Sequence, residues 1–155
     1  AAGYCLVSSA KRGDMRLISV VKGTSSEDAR VKETQKLLNY GFRYYETTPL
    51  YLAGQVLNEA KVWGGATDQL DLGVAEQIIV TIPRGHKSEL DAKLEIEPVI
   101  KAPIALGDTL GRLLVELDGE VIVDQKIVAL ADVDEGGIFK RLLDWIKLFF
   151  IGLFN

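Results

Sequence analysis

Ser8-Ser9-Ala10-Lys11 has the Ser-x-x-Lys spacing of serine acylases, in which a lysine amine takes the proton from a serine hydroxyl as that hydroxyl attacks a carbonyl. Those two side chains meet only when both project from one face of a helix. Here they straddle an apolar strand and a turn, and neither Ser-x-Asn nor Lys-Thr-Gly, the companion motifs of that chemistry, occurs anywhere downstream. The match is read as accidental, and Lys22-Gly23-Thr24 as a permuted decoy. Arg12-Gly13-Asp14 is read as a hairpin turn before an adhesion signal. His86 beside Gly85 reads as a solvated turn residue, and Cys5, inside an apolar strand, as a small core hydrophobe. No spacing of His, Cys, Asp and Glu suggests a metal site, and no cofactor is expected.

Arg30 is harder to dismiss. It precedes Leu37 by seven residues, so on a helix it projects from the face that Leu37 and Leu38 bury. Such a charge either lays its stem along apolar surface to reach water or a carboxylate, or faces a cleft and holds an anionic substrate.

Two apolar, β-branched runs, Tyr4 to Ala10 and Met15 to Lys22, are joined by Lys11-Arg12-Gly13-Asp14 and predict a hairpin of strands. Thr24-Ser25-Ser26-Glu27 has capping-box spacing and opens a helix on which Thr34, Leu37, Leu38, Gly41 and Tyr45 share a face, until Thr47-Thr48-Pro49 ends the pattern. Beyond Pro49 the period is mostly two, over Gln55 to Trp63, Gln69 to Val74, Gln77 to Ile82, Leu90 to Glu97, Thr109 to Leu117 and Glu120 to Leu130. Turns at Gly64-Gly65, Pro83-Arg84-Gly85 and Asp118-Gly119 separate these runs, which together predict a small antiparallel β-sandwich.

The chain closes on Gly136 to Asn155, where at about 100° per residue the apolar side chains gather on one half of a helical wheel. That half holds Ile138, Phe139, Leu142, Leu143, Trp145, Ile146, Phe149, Phe150, Leu153 and Phe154; Lys140, Arg141, Asp144, Lys147 and Asn155 hold the other, and Leu148 and Ile151 break the pattern. Four charges among twenty residues argue against a spanning helix and for one lying in a membrane interface, with the docking of a terminal helix on its own core as the alternative.

Charge supports that placement. The net charge of −4 gives no reason to expect nucleic acid. Asp108 to Glu135 carries eight acids against Arg112 and Lys126, whereas Gly136 onward carries three bases against Asp144, a locally basic tail that anionic lipid favours. The single cysteine excludes an internal disulfide. The chain opens on Ala1-Ala2-Gly3 with neither signal peptide nor initiator methionine, as a mature product or a fragment does.

Gly3-Tyr4-Cys5-Leu6-Val7-Ser8-Ser9-Ala10, Gly13-Asp14-Met15-Arg16-Leu17-Ile18-Ser19-Val20-Val21, Lys36-Leu37-Leu38-Asn39-Tyr40-Gly41-Phe42-Arg43 and Val80-Thr81-Ile82-Pro83-Arg84-Gly85 resemble the C-terminal part of penicillin-binding protein 5/6 type D-alanyl-D-alanine carboxypeptidases. Glu135-Gly136-Gly137-Ile138-Phe139, leading into the amphipathic tail, extends the resemblance over nearly the whole chain.

The resemblance implies an α/β remnant, the last hairpin and helix of the penicilloyl serine transferase domain, over residues 1–45. A β-rich second domain over 46–135 and an amphipathic anchor over 136–155 follow. It implies a periplasmic, serine-type hydrolase, peripheral to the inner membrane, that removes the terminal D-alanine from peptidoglycan stem peptides and is acylated by β-lactams. The three catalytic motifs of that family lie before the point where this sequence starts, so no catalytic residue is assigned and the chain alone is expected to be inactive. Arg30 sits where the family places an arginine near the terminal carboxylate of the peptide. A noncatalytic, membrane-attached β-module that binds other proteins is the alternative reading.

Overall fold

The computed structural model describes the backbone of residues 3–153 and the side chains of residues 3–147. In chain order the elements are β1 (Tyr4–Arg12), β2 (Met15–Thr24), α1 (Glu27–Tyr44), β3 (Tyr45–Tyr51), β4 (Val56–Trp63), β5 (Gln69–Gly73), β6 (Ile78–Pro83), a short 3-10 turn at His86–Glu89, β7 (Asp91–Ile96), β8 (Ile100–Lys101), β9 (Thr109–Leu117), β10 (Glu120–Ala129) and α2 (Ile138–Leu153). They fall into two compact units, one of residues 1–48 and 79–89, the other of residues 49–78 and 90–155.

In the first unit β1 and β2 pair antiparallel from Arg12↔Met15 outward, so the loop between them is the two residues Gly13 and Asp14, with Gly13 at φ +57°. Lys11 therefore belongs to the strand. Alternation puts Leu6, Ser8 and Ala10 on the half-buried face and Cys5, Val7 and Ser9 on the exposed one, so Cys5 is an exposed thiol and not the core residue expected. Val7 and Val20, which face each other across the ladder, and Ile18 leave an apolar outer face in solvent.

The N-cap of α1 is Ser26, two residues later than the expected box: its Oγ accepts the N–H of Ala29 at 3.1 Å, while the Thr24 hydroxyl donates to the Tyr4 and Ser26 carbonyls. Thr34 and Phe42 are buried, with Leu38 and Gly41 half-buried between them; a Cβ at Gly41 would stand 2.5 Å from Leu17 Cδ1, so the glycine sets how closely helix and β2 approach. Leu37, expected on this face, is exposed, because rows four apart track the contact better than those three apart. The expected stop at Thr47-Thr48-Pro49 lies inside β3, since Pro49 is compatible with a strand at the edge of the two-stranded β3–β6 sheet.

The second unit is built on a six-stranded sheet ordered β7-β9-β10-β5-β4-β8. Val62, Leu72, Leu113, Val115, Ile127 and Ala129 are essentially sealed from solvent and form its core, since period-two strands deliver one apolar face. Asp118 and Gly119, at φ +52° and +79°, make the left-handed two-residue turn that joins β9 to β10. Two expectations change here. The strands assort into one six-stranded and two two-stranded sheets, and β4 pairs parallel with β8, so the arrangement is not wholly antiparallel. β8 went unanticipated: two residues close to Pro98 and Pro103 carry no periodicity.

Candidate functional site

Arg30 stands one turn into α1, a position fixed by the Ser26 cap. Its Nη2 meets Glu27 Oε1 at 2.6 Å, its Nη1 donates to the Cys5 carbonyl at 3.2 Å, and its guanidinium lies 6.0 Å from the centre of the Tyr4 ring. Nε is buried and makes no hydrogen bond among the described residues. The side chain is thus pinned along the first residues of β1 with a carboxylate already at hand. Glu27, itself well exposed, occupies a charge-assisted donor that is held in place beforehand, an arrangement that can hold a carboxylate.

Ser8 and Lys11 are not brought together. Three residues apart on one strand, they point to opposite faces, Ser8 toward the half-buried side and Lys11 into solvent. The hydroxyls of Ser8, its ladder partner Ser19 and Thr34 of α1 are all buried without a partner among the described residues, a polar seam under the helix with no base in it. His86 pairs through Nδ1 with Glu89 Oε2 at 2.7 Å within the exposed 3-10 turn, as a turn residue does.

The second region is α2. With Asp144 at the top of the wheel, Lys140, Arg141 and Lys147 lie within about 60° of it, and Ile138, Phe139, Leu142, Leu143, Trp145 and Ile146 fill the opposite arc. The polar stripe faces the sheet. Asp144 is buried and its Oδ2 accepts the N–H of Gly64 at 3.0 Å, Lys140 Nζ lies 2.9 Å from Asp68 Oδ1, and Arg141 Nη1 lies 2.5 Å from Glu135 Oε2. Lys147 Nζ comes within 3.9 Å of Asp144 Oδ1. The hydrogen bond and charge of Lys140 hold the Asp68 carboxyl below its ordinary value.

The apolar arc consequently faces away from the unit, with Ile138 83% and Phe139 85% exposed and Leu142, Leu143 and Trp145 more than half exposed. This is the reverse of a surface helix docked on its own core, which buries the apolar stripe. Phe149, Phe150 and Leu153 continue the arc in sequence, but their side chains, and Phe154 altogether, lie outside the described residues. No helix among the described residues is long and apolar enough to cross a membrane.

Sequence reasoning missed two groups. Arg84 donates from Nη2 to the carbonyls of Phe42 at 3.2 Å and Tyr45 at 3.1 Å, and from Nε to that of Arg43 at 3.3 Å, closing the carbonyl end of α1. A Pro-Arg-Gly turn does signal a loop, but not the helix end it meets. Trp63 and Lys101, register partners in β4 and β8, line a pocket of about 420 Å³ with Gly64, Arg141, Leu142 and Trp145. Only the long-range pairing of β8 brings them together.

Residues 45–135 match the family described as Penicillin-binding protein 5, C-terminal domain. The chain is 39% identical over 150 residues to the D-alanyl-D-alanine carboxypeptidase DacC of Escherichia coli K12, covering 96% of the chain and 38% of that protein. It is 38% identical to DacA of Haemophilus influenzae, with 99% of the chain and 40% of the relative covered. Among solved structures, penicillin-binding protein 5 from Haemophilus influenzae superposes with a TM-score of 0.78 at 38% identity, over 86% of this chain and 40% of that one. The D-alanyl-D-alanine carboxypeptidase DacD from Francisella tularensis gives 0.61 at 35% identity, over 87% of this chain and 34% of its own. The chain thus spans about two fifths of the length of these relatives.

Proposed function

Because this chain belongs to the family of the penicillin-binding protein 5 C-terminal domain, we propose that it is the C-terminal portion of a serine-type D-Ala-D-Ala carboxypeptidase at the periplasmic face of the inner membrane. In this reading residues 1–45 close the catalytic domain, 46–135 form a spacer and 136–155 hold the enzyme to lipid. The whole enzyme removes the terminal D-alanine of peptidoglycan stem peptides and is acylated by β-lactams at a serine that this chain does not carry. The observation that carries the reading is the collinear match of 96% of the chain to DacC. The bare apolar face of Val7, Ile18 and Val20 supports it, because a face so exposed fits a sheet that a further layer of a larger domain covers.

The anchor rests on the outward apolar arc of α2. Large apolar side chains directed into solvent are unfavourable, by roughly 1.5–3 kcal/mol each relative to full burial, and a lipid interface removes much of that penalty. In this reading the stem peptide and β-lactams are ligands of the catalytic domain of the whole protein, to which this portion contributes Arg30, and lipid is the partner of α2.

A labelled β-lactam tests the catalytic assignment: it should acylate the whole protein containing this sequence and leave these 155 residues unmodified. A covalent adduct on any serine of this chain would overturn it. Liposome flotation tests the anchor. Phe139→Glu with Leu143→Glu places charge in the exposed arc without disturbing a packed side chain, so membrane binding should be lost with folding intact; unchanged flotation would assign the arc to another partner.

A further inference from the structure

The basic residues of α2 are engaged by the second unit's own acids: Lys140 by Asp68, Arg141 by Glu135 and Lys147 by Asp144. Little of the tail's positive charge remains free for an anionic surface. Lys101 and Lys61, by contrast, make no ion pair among the described residues, and Lys61 Nζ lies 3.8 Å from the centre of the Trp63 ring. Lys101 and Trp63 belong to the pocket that α2 completes with Arg141 and Leu142.

The position of that pocket on the helix matters. Arg141 lies about 60° from Asp144 on the wheel and Leu142 about 160°, so the pocket straddles the border between the docked polar stripe and the outward apolar arc. For a helix lying in an interface that border is the level of the lipid phosphates, with acyl chains on the Leu142 side. The volume of about 420 Å³ falls within the range of small-ligand sites, about 300–1,000 Å³.

We propose that this pocket seats the phosphate of an anionic phospholipid headgroup, with Lys101 as its counter-charge and Trp63 as its wall. The inference rests on the reading of α2 as a membrane anchor and deepens it, because it makes the β-domain edge a second contact with the bilayer. Lys61, against the Trp63 ring, adds positive charge beside it. Selectivity for anionic lipid then resides chiefly in β4 and β8, while α2 supplies binding that is indifferent to headgroup.

The test measures partition of the full chain onto vesicles of phosphatidylcholine alone and of phosphatidylcholine with phosphatidylglycerol. Lys61→Gln with Lys101→Gln should weaken binding to the phosphatidylglycerol vesicles by about fivefold per lysine and leave phosphatidylcholine binding unchanged. In a Trp145→Phe background Trp63 is the one remaining tryptophan, and a headgroup spin label should quench it in the vesicle-bound chain. The proposal is overturned if the double variant keeps the wild-type preference, if Trp63 escapes quenching in the bound chain, or if inorganic phosphate alone competes for the pocket as effectively as vesicles do. Failure of the unsubstituted chain to bind either vesicle would instead remove the anchor reading itself, and this proposal with it.

Discussion

Asp144 and Gly64 are joined across 80 positions of sequence by one hydrogen bond, in which the buried carboxylate accepts the glycine N–H at 3.0 Å. The bond fixes which way α2 faces. Asp144 is the centre of the polar stripe, so seating it against the turn after β4 directs the opposite arc outward.

Asp144→Ala leaves the Gly64 N–H without its partner, a loss of about 1–3 kcal/mol for a buried group. Because α2 ends the chain, the loss should appear as local undocking: amides of residues 138–147 exchange at least tenfold faster in hydrogen exchange while those of β5 and β10 keep their protection. Asp144→Asn keeps an acceptor oxygen and should lose less. Unchanged protection of α2 in the alanine variant would show that the bond is incidental.

Acid should loosen the same helix through Asp68. Its carboxyl titrates below its ordinary value of 3.8 when paired with Lys140, so the docked state binds that proton less tightly than the undocked one. The contribution is whole above the ordinary value and is lost as pH falls through the lowered one. The difference in α2 protection between wild type and Asp68→Asn should hold from neutrality to about pH 5, close at more acid pH, and shrink in high salt because the pair is exposed. A difference that persists in acid would assign the effect elsewhere.

Arg84→Ala should destabilise the first unit by about 1–2 kcal/mol, a discounted figure because the guanidinium is partly exposed. Arg84→Lys should recover little of this, since an ammonium cannot serve three carbonyls from one planar fork. Denaturant midpoints decide it, and equal midpoints for wild type and Arg84→Ala would make the clamp energetically idle.

In the whole protein, under the proposed activity, Arg30→Ala should lower kcat/KM for peptides ending in a free carboxylate by about 10–100-fold, the value of one charge-assisted contact. Glu27→Gln separates this from a structural role. If substrate displaces Glu27, the variant keeps or raises turnover; if the Arg30–Glu27 pair merely holds the helix start, Tm falls in both variants while kcat/KM holds.

Strands with a two-residue period were legible from the order of apolar and polar residues, and the Asp118-Gly119 turn from its residue types, because both are local signals. What the sequence could not give was which side of α2 faces the sheet, because Asp144 looks like any solvated acid until Gly64 is placed beside it. Arg30 was suspected from spacing, yet its engagement by Glu27 and the Cys5 carbonyl depends on where β1 runs. Cys5 was misplaced because an apolar run hides which of its two faces is covered.

The Arg84 clamp has a consequence for modularity. The family's C-terminal domain begins at residue 45, yet the acceptors of Arg84 are the carbonyls of residues 42, 43 and 45, and β6 travels with the first unit. A cassette excised at that border would carry the donor away from two of its acceptors and strand the end of α1. Swaps between relatives should tolerate junctions only where residues 79–89 move together with α1, so the heritable module of this protein is discontinuous in sequence.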